Sequence, residues 1–437
     1  MSAPKLQAPK GTADVLGEQA AARTALEARA AAILEGAGYE RIETPTLEAT
    51  ELFARGVGGS TDIVQKEMYT LTDGGGRSLT LRPEGTAPVC RAYVEHGMHK
   101  RAQPVKLWYA SSFFRYERAQ AGRYRQFWQV GAEALGSDDP TVDAESIALL
   151  GELLGEMGVK ARLRLSSLGS GDARAEHRER LQAHLHSHEA ELSEEVRARI
   201  ELNPLRAFDS DHEGTRRVMQ SAPRLLEHLS EQDAAHFAEV RALLDETGVS
   251  YEVDSTLVRG LDYYTRTVFE FTSDALGAQS GVGGGGRYDG LVTQLGGPPT
   301  PGMGWAAGIE RILLAGTAPV PPTRALDLYV ALADLKSPPQ GGASGPRVAS
   351  RRAAFKLLSE ARAAGLTAQM EMAGRSLKGQ LGQANRLGAR YVAIVEGAQT
   401  ILKDMQGASE RELPTEKALT ALLTDGLQVQ GELQGST

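Results

Sequence analysis

The chain has 437 residues, of which 41% are hydrophobic and 24% are charged, and these proportions exclude a fibrous or wholly disordered protein. A chain of this length is expected to form two or three domains. No run of about 18 apolar residues occurs, and the first residues lack the apolar core of a signal peptide. We therefore expect no membrane binding and no secretion.

The net charge of −8 argues against a DNA-binding surface, but the charge is uneven along the chain. Residues 324–437 carry 14 Lys and Arg against 11 Asp and Glu, a net of +3, whereas the remainder carries 34 against 45, a net of −11. This asymmetry permits an RNA-binding C-terminal domain. The single cysteine, Cys90, excludes an internal disulfide and fits a cytoplasmic protein; in a helix predicted over 86–94, it is interpreted as a small buried residue rather than a nucleophile.

The first part of the chain predicts one long helix followed by strands. Apolar residues at helical spacing predict a helix over 17–37. The extended stretch Arg41–Glu48 contains Pro45, which cannot donate to a strand ladder, so we expect this stretch at a sheet edge or an interface. Further strands are predicted as a hairpin, 68–72 with 78–82, and as a longer pair, 105–117 with 123–135.

The composition changes at about residue 170. Residues 170–250 are rich in Ala, Arg, Glu and Leu and predict helices inserted into a sheet protein. After them, the sequence predicts strands at 251–254 and 267–271, a glycine-rich turn at Gly281–Gly290, and a strand followed by a helix within 301–316.

The C-terminal segment follows a Pro-rich linker, 317–323, and has the pattern of a small α/β domain. The polar tail, 426–437, is predicted to be flexible. Strands are predicted at 327–332, 365–371 and 390–395, alternating with helices at 350–364 and 376–387.

The longer strand pair carries an unusual set of polar side chains. Because side chains alternate between the faces of a strand, one face collects Phe113, Arg115, Glu117, Arg123, Arg125, Phe127, Gln129, Gly131 and Glu133. This face could be the solvated side of the sheet or a covered binding site. The aromatic neighbours of Arg115 and the basic loop after it favour a polyanion site, because Arg binds phosphate through two parallel hydrogen bonds.

These residues resemble a known family. Phe114-Arg115-Tyr116-Glu117, followed by Gly122-Arg123-Tyr124-Arg125-Gln126-Phe127, is similar to motif 2 of class II aminoacyl-tRNA synthetases. Tyr39–Glu48 and Gly302–Arg311 resemble their motifs 1 and 3. Further segments resemble signatures of the histidyl-tRNA synthetases: Lys10–Leu16, Arg82–Thr86, Leu257–Thr265 and Gly374–Lys378. The resemblance covers about residues 8–425.

The resemblance implies an α+β catalytic domain on an antiparallel sheet, with a helical insertion and a C-terminal α/β anticodon-binding domain. The implied bounds are 1–169 and 251–320 for the catalytic core, 170–250 for the insertion and 325–425 for the anticodon-binding domain. Asn203–Arg206 resembles the part of the family's insertion that touches the tRNA acceptor stem. Because motif 1 of this family builds a dimer interface, a homodimer is also implied.

The implied reaction is ATP-dependent activation of L-histidine to histidyl-adenylate, with release of pyrophosphate, and transfer of histidine to the 3′ end of tRNA(His). By resemblance, Arg115 would bind the α-phosphate and the histidine carboxylate, and Arg259 would supply a second cation there; these are the implied catalytic residues. Glu117 would hold the adenine, and Arg123 and Arg311 the outer phosphates of ATP. Mg²⁺ would accompany the nucleotide, and no protein ligand for a metal is implied.

Histidine recognition is implied to use nine positions: Glu84, Gly85, Thr86, Arg115, Gln129, Glu133, Arg259, Tyr263 and Tyr264. Glu84, Thr86 and Gln129 would accept hydrogen bonds from the ammonium group. Glu133 and Tyr264 would bond the two imidazole nitrogens. Such a pocket rejects analogues that lack one nitrogen, because its buried partners would go unpaired.

Two other patterns are interpreted as structural. Gly281–Gly286 has the spacing G-x-G-x-x-G, but a dinucleotide site needs a strand before it and a helix after it, so we interpret it as close backbone packing beside the amino-acid pocket. Seven histidines fall within 170–250. Of His184, His186 and His188, the first and last share a helix face, so a solvated helix is favoured over a zinc site.

Two alternative functions stay open. One is a catalytically inactive, synthetase-like regulatory subunit of ATP phosphoribosyltransferase. Such chains generally lack the anticodon domain and parts of the histidine motif. This sequence has both features, which disfavours that alternative. The other is a class II synthetase for another amino acid, such as proline or threonine, which the double tyrosine after Arg259 disfavours. An assay of histidine-dependent ATP–pyrophosphate exchange would distinguish both alternatives from an active histidine enzyme.

Overall fold

The computed structural model describes residues 5–59, 61–118, 122–277, 280–319, 325–333, 346–407 and 409–424. The chain divides into two compact units, Met1–Pro321 and Pro322–Thr437, and each has its own hydrophobic core. The end of the predicted linker, 320–323, and the predicted flexible tail, 426–437, lie outside the described residues.

The first unit combines a large sheet, a small sheet and helices. The strands are β1 (Glu40–Arg41), β2 (Leu47–Ala49), β3 (Tyr69–Thr72), β4 (Ser78–Leu81), β5 (Val105–Phe114), β6 (Gln126–Leu135), β7 (Arg162–Ser167), β8 (Glu252–Val253), β9 (Thr265–Thr272), β10 (Gly281–Arg287) and β11 (Gly302–Gly308). The α-helices are α1 (Gly17–Gly36), α2 (Thr50–Gly56), α3 (Thr86–Glu95), α4 (Pro140–Glu156), α5 (Gly171–Ser187), α6 (Glu194–Arg197), α7 (Glu213–Gln220), α8 (Glu231–Glu246), α9 (Leu291–Gln294) and α10 (Ile309–Ala315). Short 3₁₀ helices cover Met98–Lys100, Glu189–Glu191, Pro204–Asp209, Leu225–Glu227 and Asp274–Leu276, and a π-helical turn covers Ile63–Glu67.

The large sheet has the order β1-β5-β6-β11-β10-β9-β7-β8. The strands from β5 to β7 pair antiparallel, and the short edge strands β1 and β8 pair parallel to their neighbours. Helices α1, α4 and α8 cover one face, where buried residues of α1 and α4, such as Leu26 and Leu150, join Val130 and Trp305 of the sheet in one core. The opposite face of β6 carries Gln129 and Glu133, as the alternation of side chains predicts.

Several predicted elements are confirmed, including the first helix, the short hairpin and the helices of the insertion. The predicted turn at Gly281–Gly290 is wrong, because Gly281–Arg287 forms β10, a central strand between β9 and β11. A Cβ placed on Gly283 would lie 2.5 Å from the Cβ of Ala307. The neighbouring strands thus approach β10 too closely for larger residues, which agrees with the interpretation of close backbone packing.

Several predicted strands have different bounds, and three of them differ for reasons that the hydrogen bonds or the sheet order show. β5 ends at Phe114 and β6 begins at Gln126, because the Tyr116 N–H turns away to Glu67 O and the Arg125 N–H donates to Gly11 O. The predicted stretch Arg41–Glu48 is divided into β1 and β2, which belong to different sheets; each lies at a sheet edge, as predicted.

The second unit is a five-stranded sheet of order β13-β12-β14-β15-β16, packed against helices. Its elements are β12 (Leu328–Leu332), α11 (Pro346–Ala363), β13 (Ala368–Met370), α12 (Leu377–Arg386), β14 (Tyr391–Glu396), β15 (Gln399–Asp404), β16 (Glu410–Pro414) and α13 (Thr415–Thr424). The first three strands and two helices are confirmed, and the sequence interpretation missed β15, β16 and α13. Among the residues described for both units, no helix is long and apolar enough to cross a membrane.

Candidate active site

Four arginines line one cavity of about 200 Å³ on the open face of the large sheet. Arg115 follows β5, Arg123 precedes β6, and Arg311 lies in the first turn of α10. Arg259 comes from the loop before β9. The structure therefore brings together, around one space, all the residues that the sequence assigned to ATP: Arg115, Glu117, Arg123 and Arg311, with Arg259 beside them.

Carboxylates hold the arginines of this cavity in place. Glu117 pairs with Arg123 over 3.2 Å and with Arg115 over 3.9 Å. Arg259 Nη1 donates to Glu270 Oε1 over 2.8 Å. Burial, followed by the nearby Arg123, lowers the pKa of Arg311, as expected where cations crowd together. A cavity so rich in guanidinium groups is suited to bind phosphate and carboxylate anions.

Among the residues that the structure describes, two buried polar atoms at this cavity lack a protein partner. They are Gln129 Oε1 and Arg259 Nε, both of which belong to residues that line the space. Unpartnered buried polar atoms are rare in folded proteins, because each one costs free energy. An acceptor and a donor of this kind, in one cavity, are available to hydrogen-bond a polar ligand.

A second cluster surrounds Glu133, whose side chain is fully buried. Its Oε1 accepts hydrogen bonds from the hydroxyls of Thr86 (2.8 Å) and Tyr109 (3.3 Å), and its Oε2 accepts from Tyr288 (2.6 Å). Burial raises the pKa of Glu133 to about 8, although the hydroxyls of Tyr288 and Thr86 oppose this shift. Burial thus favours the protonated form of this carboxyl.

Glu84 and the tyrosine pair border this cluster. The carboxylate of Glu84 accepts from the N–H groups of Thr86 (2.8 Å) and Ala87 (3.0 Å), at the start of α3, and lies 3.4 Å from the Tyr263 hydroxyl. The rings of Tyr263 and Tyr264 are 4.8 Å apart.

Arg259 joins the two clusters. Burial opposes the charge of Arg259, yet the neighbouring Tyr264 and Glu270 outweigh it and raise its pKa. The predicted histidine-binding residues thus adjoin the arginine cavity.

Glycines make room for the large side chains of the cluster. A Cβ on Gly85 or on Gly131 would overlap the ring of Tyr109, and a Cβ on Gly302 would overlap that of Tyr288. Gly85, which the sequence assigned to histidine binding, therefore serves here as a steric opening against Tyr109. Gly286 of β10 makes room for Tyr264 in the same way, and Gly304 of β11 makes room for Glu133.

Tyr109, Tyr288 and Glu270 were missed as site residues. Tyr109 occupies the same face of β5 as Phe113, so strand alternation alone could have placed it. Glu270 is a lone carboxylate in the otherwise apolar centre of β9, which is a recognisable signal. Glu133 takes its hydroxyl partners from Thr86, Tyr109 and Tyr288 rather than from Tyr264.

The antiparallel sheet, flanked by helices on one face and carrying an arginine cavity on the other, defines a class II aminoacyl-tRNA synthetase. A structure of apo histidyl-tRNA synthetase from S. aureus matches with a TM-score of 0.76 and 33% identity, covering 96% of this chain and 100% of that one, which confirms the expected fold class. Residues 11–312 match the family model of histidyl-tRNA synthetase. The chain belongs to the histidyl-tRNA synthetase family, whose members are enzymes that ligate histidine to tRNA.

Curated relatives of this chain match it over nearly its whole length. A histidine–tRNA ligase from Halorhodospira halophila is 46% identical over 435 residues, which cover 97% of this chain and 99% of the relative. One from Desulforamulus reducens is 44% identical over 416 residues, covering 93% and 96%. A Bacillus halodurans structure titled as a regulatory subunit of ATP phosphoribosyltransferase or a histidyl-tRNA synthetase is 23% identical, a likeness that shows the fold alone. The regulatory alternative is therefore not favoured.

Proposed function

We propose that this enzyme binds ATP in the arginine cavity, where the carboxylate of L-histidine attacks the α-phosphate to form histidyl-adenylate and release pyrophosphate. Histidine then passes to the 3′ end of tRNA(His), and AMP is released. The observation that carries the proposal is the contact between two clusters. The arginine cavity suits a polyphosphate, and the adjoining buried cluster around Glu133 suits a small polar side chain. Arg259 and Gln129 both line this cavity, which supports a meeting of the reacting carboxylate and the α-phosphate there.

Adenylate formation needs two anions to approach each other. Arg115 and Arg259 neutralise the histidine carboxylate and the α-phosphate, and they stabilise the charge that builds on the phosphoryl oxygens. Because Glu270 and the Pro83 carbonyl fix these guanidinium groups beforehand, little reorganisation is needed during the reaction.

The remaining groups of the cavity bind ATP. Arg123 and Arg311 bind its outer phosphates, and Glu117 accepts from the exocyclic amine of adenine.

We place histidine where the arginine cavity meets the buried cluster around Glu133. The unpartnered Gln129 Oε1 accepts from the ammonium group, together with Glu84 and Thr86. The imidazole nitrogens bond to Glu133 and to Tyr264, with Tyr263 beside them. A raised pKa suits Glu133 to this role, because a carboxyl with such a pKa can share a proton with an imidazole near neutral pH.

Mg²⁺ is assigned to the nucleotide rather than to the protein. Within the described ranges, no three His, Cys, Asp or Glu side chains form a group that could hold a metal ion. Glu117 and Glu270 are each engaged by arginines. The ion would enter on the phosphates of ATP, as Mg²⁺ commonly does, and we assign it no protein ligand.

The second unit, with its net positive charge and the segment Gly374–Lys378, is proposed to bind the anticodon. Residues 170–250 are proposed as the insertion that meets the acceptor stem. The edge strands β1 and β2 overlap the segment Tyr39–Glu48, which resembles motif 1, and this position at sheet edges supports a homodimer. The single cysteine, Cys90, which is buried, supports a cytoplasmic location.

ATP–pyrophosphate exchange tests the proposal. We expect exchange that depends on histidine, and charging of tRNA(His) by the same preparation. Exchange that proline or threonine stimulates equally would indicate a different amino acid. A folded preparation without histidine-dependent exchange would contradict the proposal.

A further inference from the structure

The insertion is anchored to the segment that carries the tyrosine pair. Arg174 lies one turn into α5, the first helix of the insertion. Its Nη1 donates to the backbone carbonyl of Tyr264, and its Nη2 donates to that of Asp262 over 3.2 Å. Burial of the guanidinium beside these carbonyls lowers the pKa of Arg174. One planar fork therefore holds two carbonyls on either side of Tyr263.

A second part of the insertion contacts the same segment. Asn203 Nδ2 donates to Asp262 Oδ1 over 3.0 Å, and Arg206 Nη2 donates to the carbonyl of Gly260 over 3.1 Å. These two residues flank the start of the 3₁₀ helix Pro204–Asp209, far from Arg174 in sequence. Residues 260–264 thus accept hydrogen bonds from two separate parts of the insertion, α5 and the start of the 3₁₀ helix.

The backbone just after the tyrosines is strained. Arg266 has a φ of +45°, a left-handed conformation that persists in non-glycine residues where the surroundings hold it. Its N–H donates to Gly169 O over 2.8 Å, and its carbonyl accepts from Leu168 N over 2.7 Å.

Asp233 completes this junction. Its carboxylate pairs with Arg266 Nε over 2.9 Å and also accepts from Ser170. Residues from both ends of the insertion therefore maintain the strained turn into β9.

We propose that Arg174 is a positioning residue for histidine: it sets the backbone of Asp262–Tyr264 and thereby the tyrosine pair and Arg259. The inference rests on the proposed function of that pair. Arg174 has no place in the arginine cavity or in the Glu133 cluster, so its effect passes through the segment that it holds. A consequence is that a displacement of the insertion changes histidine binding even when no tRNA is present.

The chain offers a matched control for this proposal. Arg178 lies one turn further along α5 and also donates to two backbone carbonyls, those of Glu201 (2.6 Å) and Leu202 (3.0 Å). Those carbonyls belong to the insertion itself. Arg174→Lys and Arg178→Lys both keep the positive charge and both lose two guanidinium hydrogen bonds, which in Arg178 come from Nη2 alone. Only the first affects the segment that carries the tyrosines.

The experiment is ATP–pyrophosphate exchange without tRNA, with the KM for histidine and the KM for ATP measured for both variants. We expect Arg174→Lys to raise the KM for histidine about tenfold, as the loss of a hydrogen bond from a charged donor does, and to leave the KM for ATP within about twofold. Arg178→Lys should leave both constants unchanged. Thermal unfolding of each variant reports whether it is folded.

Equal histidine constants for the two variants would overturn the proposal, as would an equal rise of the ATP constant. A change confined to tRNA charging would also overturn it, because Arg174 would then be an RNA contact. If Arg174→Lys does not fold, Asn203→Ala serves as the test variant, because it removes a single hydrogen bond to Asp262. It should raise the KM for histidine and leave the KM for ATP unchanged. Wild-type protein without histidine-dependent exchange would instead contradict the proposed function.

Discussion

Gly304 lies directly opposite Glu133 in the ladder between β11 and β6, and a Cβ at Gly304 would overlap Oε2 of that carboxyl group. The carboxyl therefore occupies the volume that any other residue at position 304 would fill. From that place it reaches the hydroxyls of Tyr288 and Thr86. Glu133 can therefore occupy its position only because Gly304, on the neighbouring strand β11, has no side chain.

Gly304→Ala tests this dependence directly. We expect the added methyl group to displace Glu133 from Tyr288, to weaken histidine binding at least tenfold, and to lower the free energy of unfolding by about 1–3 kcal/mol, as overpacking does. Histidine titration and urea unfolding measure the two effects. Gly155→Ala in α4, where a Cβ meets no neighbour within 4 Å, is the control and should bind histidine normally. Normal histidine affinity in Gly304→Ala would contradict the proposed role of Glu133.

Glu133→Gln should weaken histidine binding more than ATP binding. The substitution replaces an acid that can take up or release a proton with a neutral amide of the same size, and a charge-assisted hydrogen bond is worth about 1.5–3 kcal/mol. Separate titrations with histidine and with an ATP analogue provide the comparison. Equal losses for the two ligands would show that Glu133 is not the imidazole partner.

The same substitution should change how stability depends on pH. Because the pKa of Glu133 is raised from 4.5 to about 8, chiefly by burial, the folded protein keeps a proton that the unfolded chain releases. The stability that this proton contributes is complete below the pKa of the unfolded chain, 4.5, and is lost as the pH rises from there to the folded pKa of about 8. The free energy of unfolding of Glu133→Gln, minus that of the wild type, should therefore increase between about pH 5 and 8 and then level off. Urea unfolding at several pH values measures it, and a constant difference would be inconsistent with this assignment.

Parts of this site follow from local sequence pattern, and parts do not. Alternation along one strand suffices to place Gln129 and Glu133 on the same face, because the period of a strand is two. It does not reveal that Tyr109 stands opposite Gly131, since the register depends on the pairing of two strands. Tyr288 reaches Glu133 across 155 positions of sequence, a distance beyond any local pattern.

The glycine segment shows why a local pattern can mislead. Consecutive glycines usually mark a turn, because glycine adopts conformations that other residues avoid. In β10 the same composition is explained by close neighbours on both sides, such as Ala307 beside Gly283. Whether such a glycine segment forms a turn or a closely packed strand is decided by residues of the neighbouring strands. The sequence of the segment itself does not carry that information.

Arg259→His should reduce histidine-dependent pyrophosphate exchange by about 10²–10³-fold, the usual cost of one lost contact to transition-state charge. Arg164→His is the control, because Arg164 also pairs with Glu270, over 3.5 Å, but does not line the arginine cavity. We expect nearly normal exchange in that variant. A comparable loss in both would indicate that the position of Glu270 matters rather than the cation at Arg259.

A chain that ends at Pro321 should still form histidyl-adenylate but charge tRNA poorly. Every residue assigned here to ATP or histidine lies in the unit Met1–Pro321, which has its own core. The net positive charge lies beyond it, in the unit proposed to read the anticodon. Phosphate contacts dominate RNA affinity and weaken with salt, while unpaired bases supply specificity. Truncation should therefore raise the tRNA concentration that charging requires.

Both activities must be measured on one truncated preparation, with its folding and oligomeric state compared with those of the full chain. In the full chain, charging should be more sensitive to salt than pyrophosphate exchange, because charging alone depends on contacts to RNA phosphates. Charging that survives truncation unchanged would show that the second unit does not read the anticodon. Loss of both activities in a folded protein of unaltered oligomeric state would show that the second unit supports the adenylation site, and the proposed division of labour would be wrong.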